Sequence, residues 1–286
     1  MNGDLEPYAQ QSPFSNPGSL AQLLDCLPAH VPDICSVVQS LLLHIHEAHL
    51  YGVHVPKDQM LNMDIEHASE ILTRVVALDD RPLTFARPAK RRLPVSCRQF
   101  VILTCAMLRH KRIPARTRSG FADYLPPDAY VAHSICEHWD QPKGQWTRVD
   151  PQIDAVQKAE MRIAFDPLNI PSPRFLTGAE AWHAFRAGEV AEKRFQGGTA
   201  NLRNLLALDL LELNCLETHG APPSIIANPK TPPSIESLGV LDSVADRILQ
   251  AQGSFSAMRA LYEEREEFQI ANQRLERTGV PPATQP

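Results

Sequence analysis

The sequence predicts an α+β fold in which a small antiparallel sheet packs on one central helix, with further helices before and after this core. Apolar residues recur at helical spacing in residues 34–48 and again in residues 63–77. Residues 97–110 form an amphipathic helical pattern that follows a serine suited to cap a helix. Residues 116–150 instead contain three short strand patterns, and a Gln-Pro-Lys-Gly turn joins the last two.

The composition is that of an ordinary globular protein. The 286 residues are 43% hydrophobic and 21% charged, which allows a sizeable core. The formal net charge of −5 argues against nucleic-acid binding driven by bulk charge. No stretch approaches the roughly 20 apolar residues that a membrane span needs, and the polar N-terminus is unlike a signal peptide. We therefore expect neither a nucleic-acid nor a membrane partner.

Two further features of the composition bear on function. The cysteines show no CxxC pair and no disulfide framework, so we expect reduced thiols and a cytoplasmic location. They are Cys26, Cys35, Cys97, Cys105, Cys136 and Cys215.

The densest basic run is Lys90-Arg91-Arg92, with Arg87 just before it. We interpret this run as a solvated loop, with a docking patch for an acidic partner as the alternative.

The prolines concentrate between the predicted helices and at the two ends of the chain, and they divide it. The predicted divisions are a disordered tail at 1–17, one domain at 18–219 with its core at 94–155 and helical flanks, a Pro-rich linker at 220–237, C-terminal helices at 238–277 and a disordered tail at 278–286. Within the helical flank, Thr177 opens a capping-box pattern. The apolar residues 202–216 predict a buried helix.

The first clear helix is predicted from Asp33, a good cap, to near Tyr51-Gly52, and its end carries histidines. The sequence His46-Glu47-Ala48-His49 lacks the two residues between Glu and His that would let both histidines bind one zinc ion. We therefore expect no metal and no other cofactor. The histidines of this region are interpreted as lying on the outer face of the helix, where its dipole favours positive charge. They are His44, His46, His49 and His54.

One cysteine occupies a position with chemical meaning. Ser96 is a good N-cap, so Cys97 falls at the first helical position. Unpaired N–H groups and the helix dipole lower the pKa of a cysteine there and favour the thiolate, which is the nucleophilic form. We interpret Cys97 as a candidate nucleophile, and Cys105 and Cys136 as small buried hydrophobic residues.

The predicted hairpin selects a base for this thiol. Antiparallel pairing centred between residues 142 and 143 places His133 and Asp150 about one diagonal step apart, roughly 7–8 Å at the backbone. A carboxylate bound to the far ring nitrogen would orient the imidazole and leave the other nitrogen for the thiol. The alternative base, His138, lies on the opposite face of its strand and close to the turn. In the preceding strand, Gly120 predicts a bulge or a close backbone approach.

These residues carry a resemblance to a known family. Cys97, His133 and Asp150 have the order of the nucleophile, base and carboxylate in the transglutaminase-like superfamily of papain-type thiol enzymes. SCRQF and RHKRIPARTRSGF resemble the family's cysteine helix and the strand entry after it, and HSICEHWD with WTRVDPQID resembles its pair of strands. More narrowly, the chain is similar to bacterial stand-alone members with helical flanks.

The resemblance implies a transglutaminase-like, papain-like core in which Cys97 is the nucleophile, His133 the general base and Asp150 the orienting carboxylate. It implies acyl transfer or hydrolysis at an amide, peptide or thioester carbonyl through a thioester intermediate. The expected partners are a peptide, protein or acyl-thioester substrate and, for transfer, an amine acceptor. The Cys97 backbone N–H would hold the oxyanion together with a second donor. No tryptophan precedes Cys97 to act as that donor, and Gln59 and Gln99 are the alternatives.

Two positions depart from the family pattern and leave a second function open. Val95 stands where the family commonly has glycine two residues before the cysteine, and Ser134 where a tryptophan often follows the histidine. These departures motivate the alternative of a non-catalytic transglutaminase-like binding module. Such a module would use the same groove for a peptide or protein partner.

Overall fold

The described residues form helices, a four-stranded antiparallel sheet as the sequence predicts, and a short parallel pair of strands. The computed structural model describes residues 3–125, 128–216, 235–251, 254–265 and 268. The helices in these residues are α1 (Val31–Leu41), α2 (Ala68–Leu78), α3 (Cys97–His110), α4 (Ala155–Glu160), α5 (Gly178–Arg186), α6 (Gly198–Leu213), α7 (Ile235–Ala251) and α8 (Phe255–Glu264). The strands are β1 (Leu42–His44), β2 (Leu93–Val95), β3 (Ala115–Ala122), β4 (Val131–Asp140), β5 (Gln145–Val149) and β6 (Phe175–Thr177). The α+β prediction is confirmed.

The helix α3 lies at the centre of the fold. Every residue from Arg98 to Arg109 is buried, because α1 and α2 pack on one side of the helix and the sheet on the other. Its start is fixed by the extended backbone of Ser96, whose N–H donates to Gln99 Oε1 at 3.0 Å. This cap places Cys97 at the first helical position, as predicted.

The sheet has the strand order β5-β4-β3-β6 and is antiparallel throughout. Asp140 pairs with Gln145 and Cys136 with Val149, so the hairpin is centred between residues 142 and 143 as predicted. At Gly120 a Cβ atom would lie 2.1 Å from the Leu176 carbonyl oxygen on β6. The glycine therefore permits a close backbone approach, which is one of the two predicted reasons for it.

The helices α5, α6 and α7 form a second apolar cluster, which includes Phe121 and Leu176 of the sheet. Thr177 caps α5 by accepting the Glu180 N–H, and the Glu180 carboxylate accepts the Thr177 N–H, which confirms the predicted capping box. The predicted buried helix at 202–216 is observed as α6. Buried ion pairs tie α6 to the core, among them Arg118 with Asp209 at 2.7 Å.

The prediction of a disordered tail at 1–17 is wrong for the described residues from Gly3 onward. Tyr8 is fully buried, and its hydroxyl donates to the Leu213 carbonyl at 2.7 Å. Its ring packs edge-on against Trp146, and Leu5 and Phe14 are also buried. Three large apolar side chains suffice to fix a segment whose composition is otherwise polar, because each is buried against the domain.

The prediction that the first helix continues to near Tyr51-Gly52 is also wrong. The helix α1 ends at Leu41, and Leu42 adopts an extended conformation with φ −114° and ψ 153°. Residues Leu42–His44 form β1, which pairs in parallel with β2 and sets His44 beside Val95. Consecutive buried leucines satisfy a helical stripe and a buried strand equally well, so periodicity alone does not locate this boundary.

Most of the predicted linker and the second tail lie outside the described residues. Residues 235–237, the end of the predicted linker, are helical because α7 begins at Ile235. Of the predicted C-terminal helices, the described part consists of α7 and α8. Among the described helices, none combines the length and the apolar composition needed to cross a membrane.

Candidate active site

The structure brings Cys97, His133 and Asp150 together from three elements. Cys97 starts α3, His133 lies on β4, and Asp150 directly follows β5. His133 Nε2 lies 2.8 Å from Asp150 Oδ2, and both side chains are at least 98% buried. Because the carboxylate occupies Nε2, Nδ1 is the ring nitrogen left for the Cys97 thiol, with which His133 also interacts.

The Asp150 carboxylate is held by further donors. The Tyr124 hydroxyl donates to Oδ2 at 2.8 Å, and the Gln152 backbone N–H donates to Oδ1 at 3.0 Å. Burial and the nearby carboxylate raise the pKa of Tyr124 well above its ordinary value, so the hydroxyl remains a donor. The Asp150 N–H in turn donates to the Pro167 carbonyl at 2.8 Å. These contacts fix the position of the carboxylate that contacts His133.

The charges of the site favour a thiolate and an imidazolium. Burial alone would raise the pKa of the Cys97 thiol, but the charges and hydrogen bonds of His133, followed by those of His44, lower it well below its usual value. Burial would lower the pKa of His133, yet the negative charges of Asp150 and Cys97 raise it to about 10. Both shifts therefore stabilise a thiolate–imidazolium pair at neutral pH.

His44 is the site residue that the sequence analysis missed. The pairing of β1 with β2 brings its imidazole to the Cys97 thiol, whose pKa it lowers. The His44 Nδ1 atom is buried and has no hydrogen-bond partner among the described residues. The predicted place of His44, on the outer face of a helix, is wrong because the helix ends three residues before it. The run of three leucines before His44 is the only local signal for a buried strand here.

The other candidates have different surroundings. The Gln99 amide donates to the Met63 and Ile65 carbonyls, so both of its N–H groups are already used. Gln59 lines a separate cavity. His138 pairs with Thr147 towards the hairpin turn, and burial lowers its pKa. The described residues contain no group of three or more His, Cys, Asp or Glu able to hold a metal ion.

Comparison with known families supports the resemblance noted from the sequence. Residues 71–151 match the core of the transglutaminase-like superfamily, and the match includes Cys97, His133 and Asp150. This segment belongs to the transglutaminase-like superfamily. The match begins within α2, so it leaves out the strand that carries His44.

Among solved structures, a putative cysteine protease from Cytophaga hutchinsonii is similar to this chain. The two are 17% identical with a TM-score of 0.38, and the alignment covers 62% of this chain and 46% of the other. The chain thus spans about half the length of that protein. Comparison with curated proteins gives no match.

Replacing Asp150 by asparagine tests the electrostatic coupling in this transglutaminase-like site. Loss of the negative charge removes the main influence that raises the His133 pKa, and a less protonated imidazole stabilises the thiolate less. We expect the pH midpoint of Cys97 alkylation by iodoacetamide to rise. A rise of one pKa unit lowers the rate in mildly acidic buffer by about tenfold.

Asp140→Asn is the matched control, because Asp140 is a carboxylate on the same hairpin that pairs with Lys143 at the turn. The pH profile of Cys97 alkylation in Asp140→Asn should coincide with that of the wild-type protein. Coincident profiles for Asp150→Asn and the wild type would contradict the coupling.

Proposed function

We propose that this chain is a thiol enzyme that transfers or hydrolyses acyl groups at amide, peptide or thioester carbonyls through a thioester on Cys97. The observation that supports this most is the buried contact of His133 with Asp150 beside Cys97, together with pKa shifts that favour a thiolate and an imidazolium. A thiol with a depressed pKa at a helix start is an activated nucleophile. A binding groove has no use for such a charge pair.

In the first half of the reaction, Cys97 Sγ attacks the carbonyl carbon and forms a C–S bond, and the carbonyl electrons move to oxygen. As the tetrahedral intermediate collapses, the bond to the leaving nitrogen, oxygen or sulfur breaks. The His133 imidazolium gives its proton to that leaving group. Asp150 keeps the ring in place during this transfer through its contact with Nε2.

In the second half, water or an amine attacks the thioester, and the now neutral His133 accepts its proton. The C–S bond breaks, the product leaves as an acid or an amide, and the proton on His133 restores the ion pair with the Cys97 thiolate. Asp150 raises the pKa of His133, which makes the imidazole a stronger base for this step.

The oxyanion formed in each half requires donors. The Cys97 backbone N–H, at the start of α3, supplies one of them. We assign the second to His44, because its imidazole lies beside the thiol and Gln99 is already committed elsewhere. Before the attack, the His44 imidazole contacts the Cys97 thiolate. After the attack, it would contact the former carbonyl oxygen, which then carries the negative charge.

A trapped acyl-enzyme tests the proposed reaction. Incubation with p-nitrophenyl acetate should release a burst of p-nitrophenolate and add one acetyl group to Cys97, seen by intact-mass and peptide mass spectrometry. Cys97→Ala should abolish both signals, because the thiol forms the bond.

Cys26→Ala is the control, since Cys26 is an exposed free thiol outside the site, and it should keep both signals. If the acetyl group is spread over several cysteines, or if Cys97→Ala retains the burst, the chain is better described as a binding module.

The role of His44 is tested by His44→Ala. Loss of one oxyanion donor lowers kcat by about 100-fold, while KM changes little because the donor acts on charge that develops during the reaction. His49→Ala, five residues away with an exposed side chain, should leave kcat unchanged. A change in KM with kcat retained would instead assign His44 to substrate binding.

A further inference from the structure

A cavity of about 670 Å³ lies beside the strand that leads to Cys97. This volume is within the range of sites for small molecules. Its charged lining residues are all basic: Arg74, Lys90 and Arg92, with His54 beside them. Among the described residues that line it there is no aspartate or glutamate. We refer to it as the basic cavity.

The basic cavity is close to the proposed nucleophile. Pro94 lines it, and Cys97 follows only three residues later, which limits the distance between their Cα atoms to about 10 Å. An acyl chain bound at Cys97 therefore has to span only about 10 Å to bring an anionic group to the Pro94 side of the basic cavity.

The basic side chains are only partly neutralised by the protein. Arg74 pairs with Glu70 at 2.7 Å, but both side chains are more than 40% exposed, and such surface pairs are weak. Arg92 reaches Asp154 only at 4.0 Å. Lys90 is exposed and has no acidic partner among the described residues. The basic cavity therefore carries net positive charge.

The basic run noted in the sequence divides into two kinds of residue. Arg87 is buried and donates to the Asp79 and Arg81 carbonyls, so it holds the loop together. Arg91 donates to a carbonyl at the end of α2 and does not line the basic cavity. Only Lys90 and Arg92 from this run contribute charge there. The run is thus neither a uniformly solvated loop nor a uniform patch for an acidic protein.

We propose that the basic cavity binds the carboxylate or phosphate of an anionic substrate whose reacting carbonyl lies at Cys97. This inference rests on the proposed function, since it takes Cys97 as the nucleophile, and it narrows the substrate to acyl compounds that carry an anionic group. The Arg92 Nε atom donates to the Arg87 carbonyl at 3.1 Å, so the terminal N–H groups of its guanidinium are the donors for the anion, and the Lys90 ammonium adds a mobile charge.

Matched esters test the proposal. The kcat/KM for the p-nitrophenyl half-ester of adipic acid is compared with that for p-nitrophenyl hexanoate, which has the same chain length and no charge. We expect the anionic-to-neutral ratio of the wild-type protein to fall by about tenfold in Lys90→Ala and in Arg92→Gln, because each removes a charge-assisted contact. Added salt should lower the ratio more in the wild type than in Lys90→Ala.

Arg91→Ala is the matched control, because it removes the same charge from the same loop, and Arg91 itself is not a lining residue and donates to the backbone carbonyl of Leu78. It should keep the wild-type ratio. Equal ratios in the wild type, Lys90→Ala and Arg92→Gln would overturn the proposal. If Cys97 still turned over both esters in that case, the proposed function would stand and only the substrate class would fall.

Calorimetry with sodium adipate and sodium pyrophosphate gives a readout that does not depend on turnover. The basic cavity is supported if the wild-type protein and Arg91→Ala bind either anion and Lys90→Ala does not. The anion that binds more tightly then identifies the anionic group of the substrate as a carboxylate or a phosphate. Absence of binding of both anions overturns it. Binding without any acylation of Cys97 would reject the proposed function while retaining the anion site.

Discussion

The buried contact between His133 and Asp150 is the interaction on which the candidate site depends. Its 2.8 Å distance is set by the hairpin, which carries the histidine on one strand and places the aspartate just past the other. Tyr124 and Gln152 hold the carboxylate, so the imidazole has little freedom to turn away from Cys97. An error of one residue in the register would move the two groups to opposite faces of the hairpin.

A second set of buried charges stabilises the sheet around Glu137. Arg116, Arg118 and Arg148 surround Glu137, and although burial alone would raise the pKa of this carboxyl, the arginines hold it well below its usual range. Removing one partner of such a group is costly because the remaining charge stays buried. In contrast, Lys90 of the basic cavity is exposed, and the acidic contact of Arg92 is only a 4.0 Å approach to Asp154, so these charges are less fully compensated.

The sequence predicted those parts of the site that depend on local structure. The cap at Ser96 located Cys97, and the turn after Asp140 fixed the hairpin centre and with it the pairing of His133 with Asp150. The sequence did not predict the position of His44 or the packing of the N-terminal segment. The position of His44 depends on pairing between β1 and β2, and that of Tyr8 on a contact with the end of α6, so both are set by residues far along the chain. Periodicity and capping carry no information about such contacts.

The central claim is that Cys97 is a thiolate paired with a protonated His133, and the ultraviolet absorbance of the thiolate tests it most directly. The difference spectrum between the wild-type protein and Cys97→Ser, recorded from acidic to alkaline pH, gives the titration of this one thiol. The structure predicts a midpoint well below the ordinary value of 9.0 for a cysteine. A midpoint at or above that value would contradict the account.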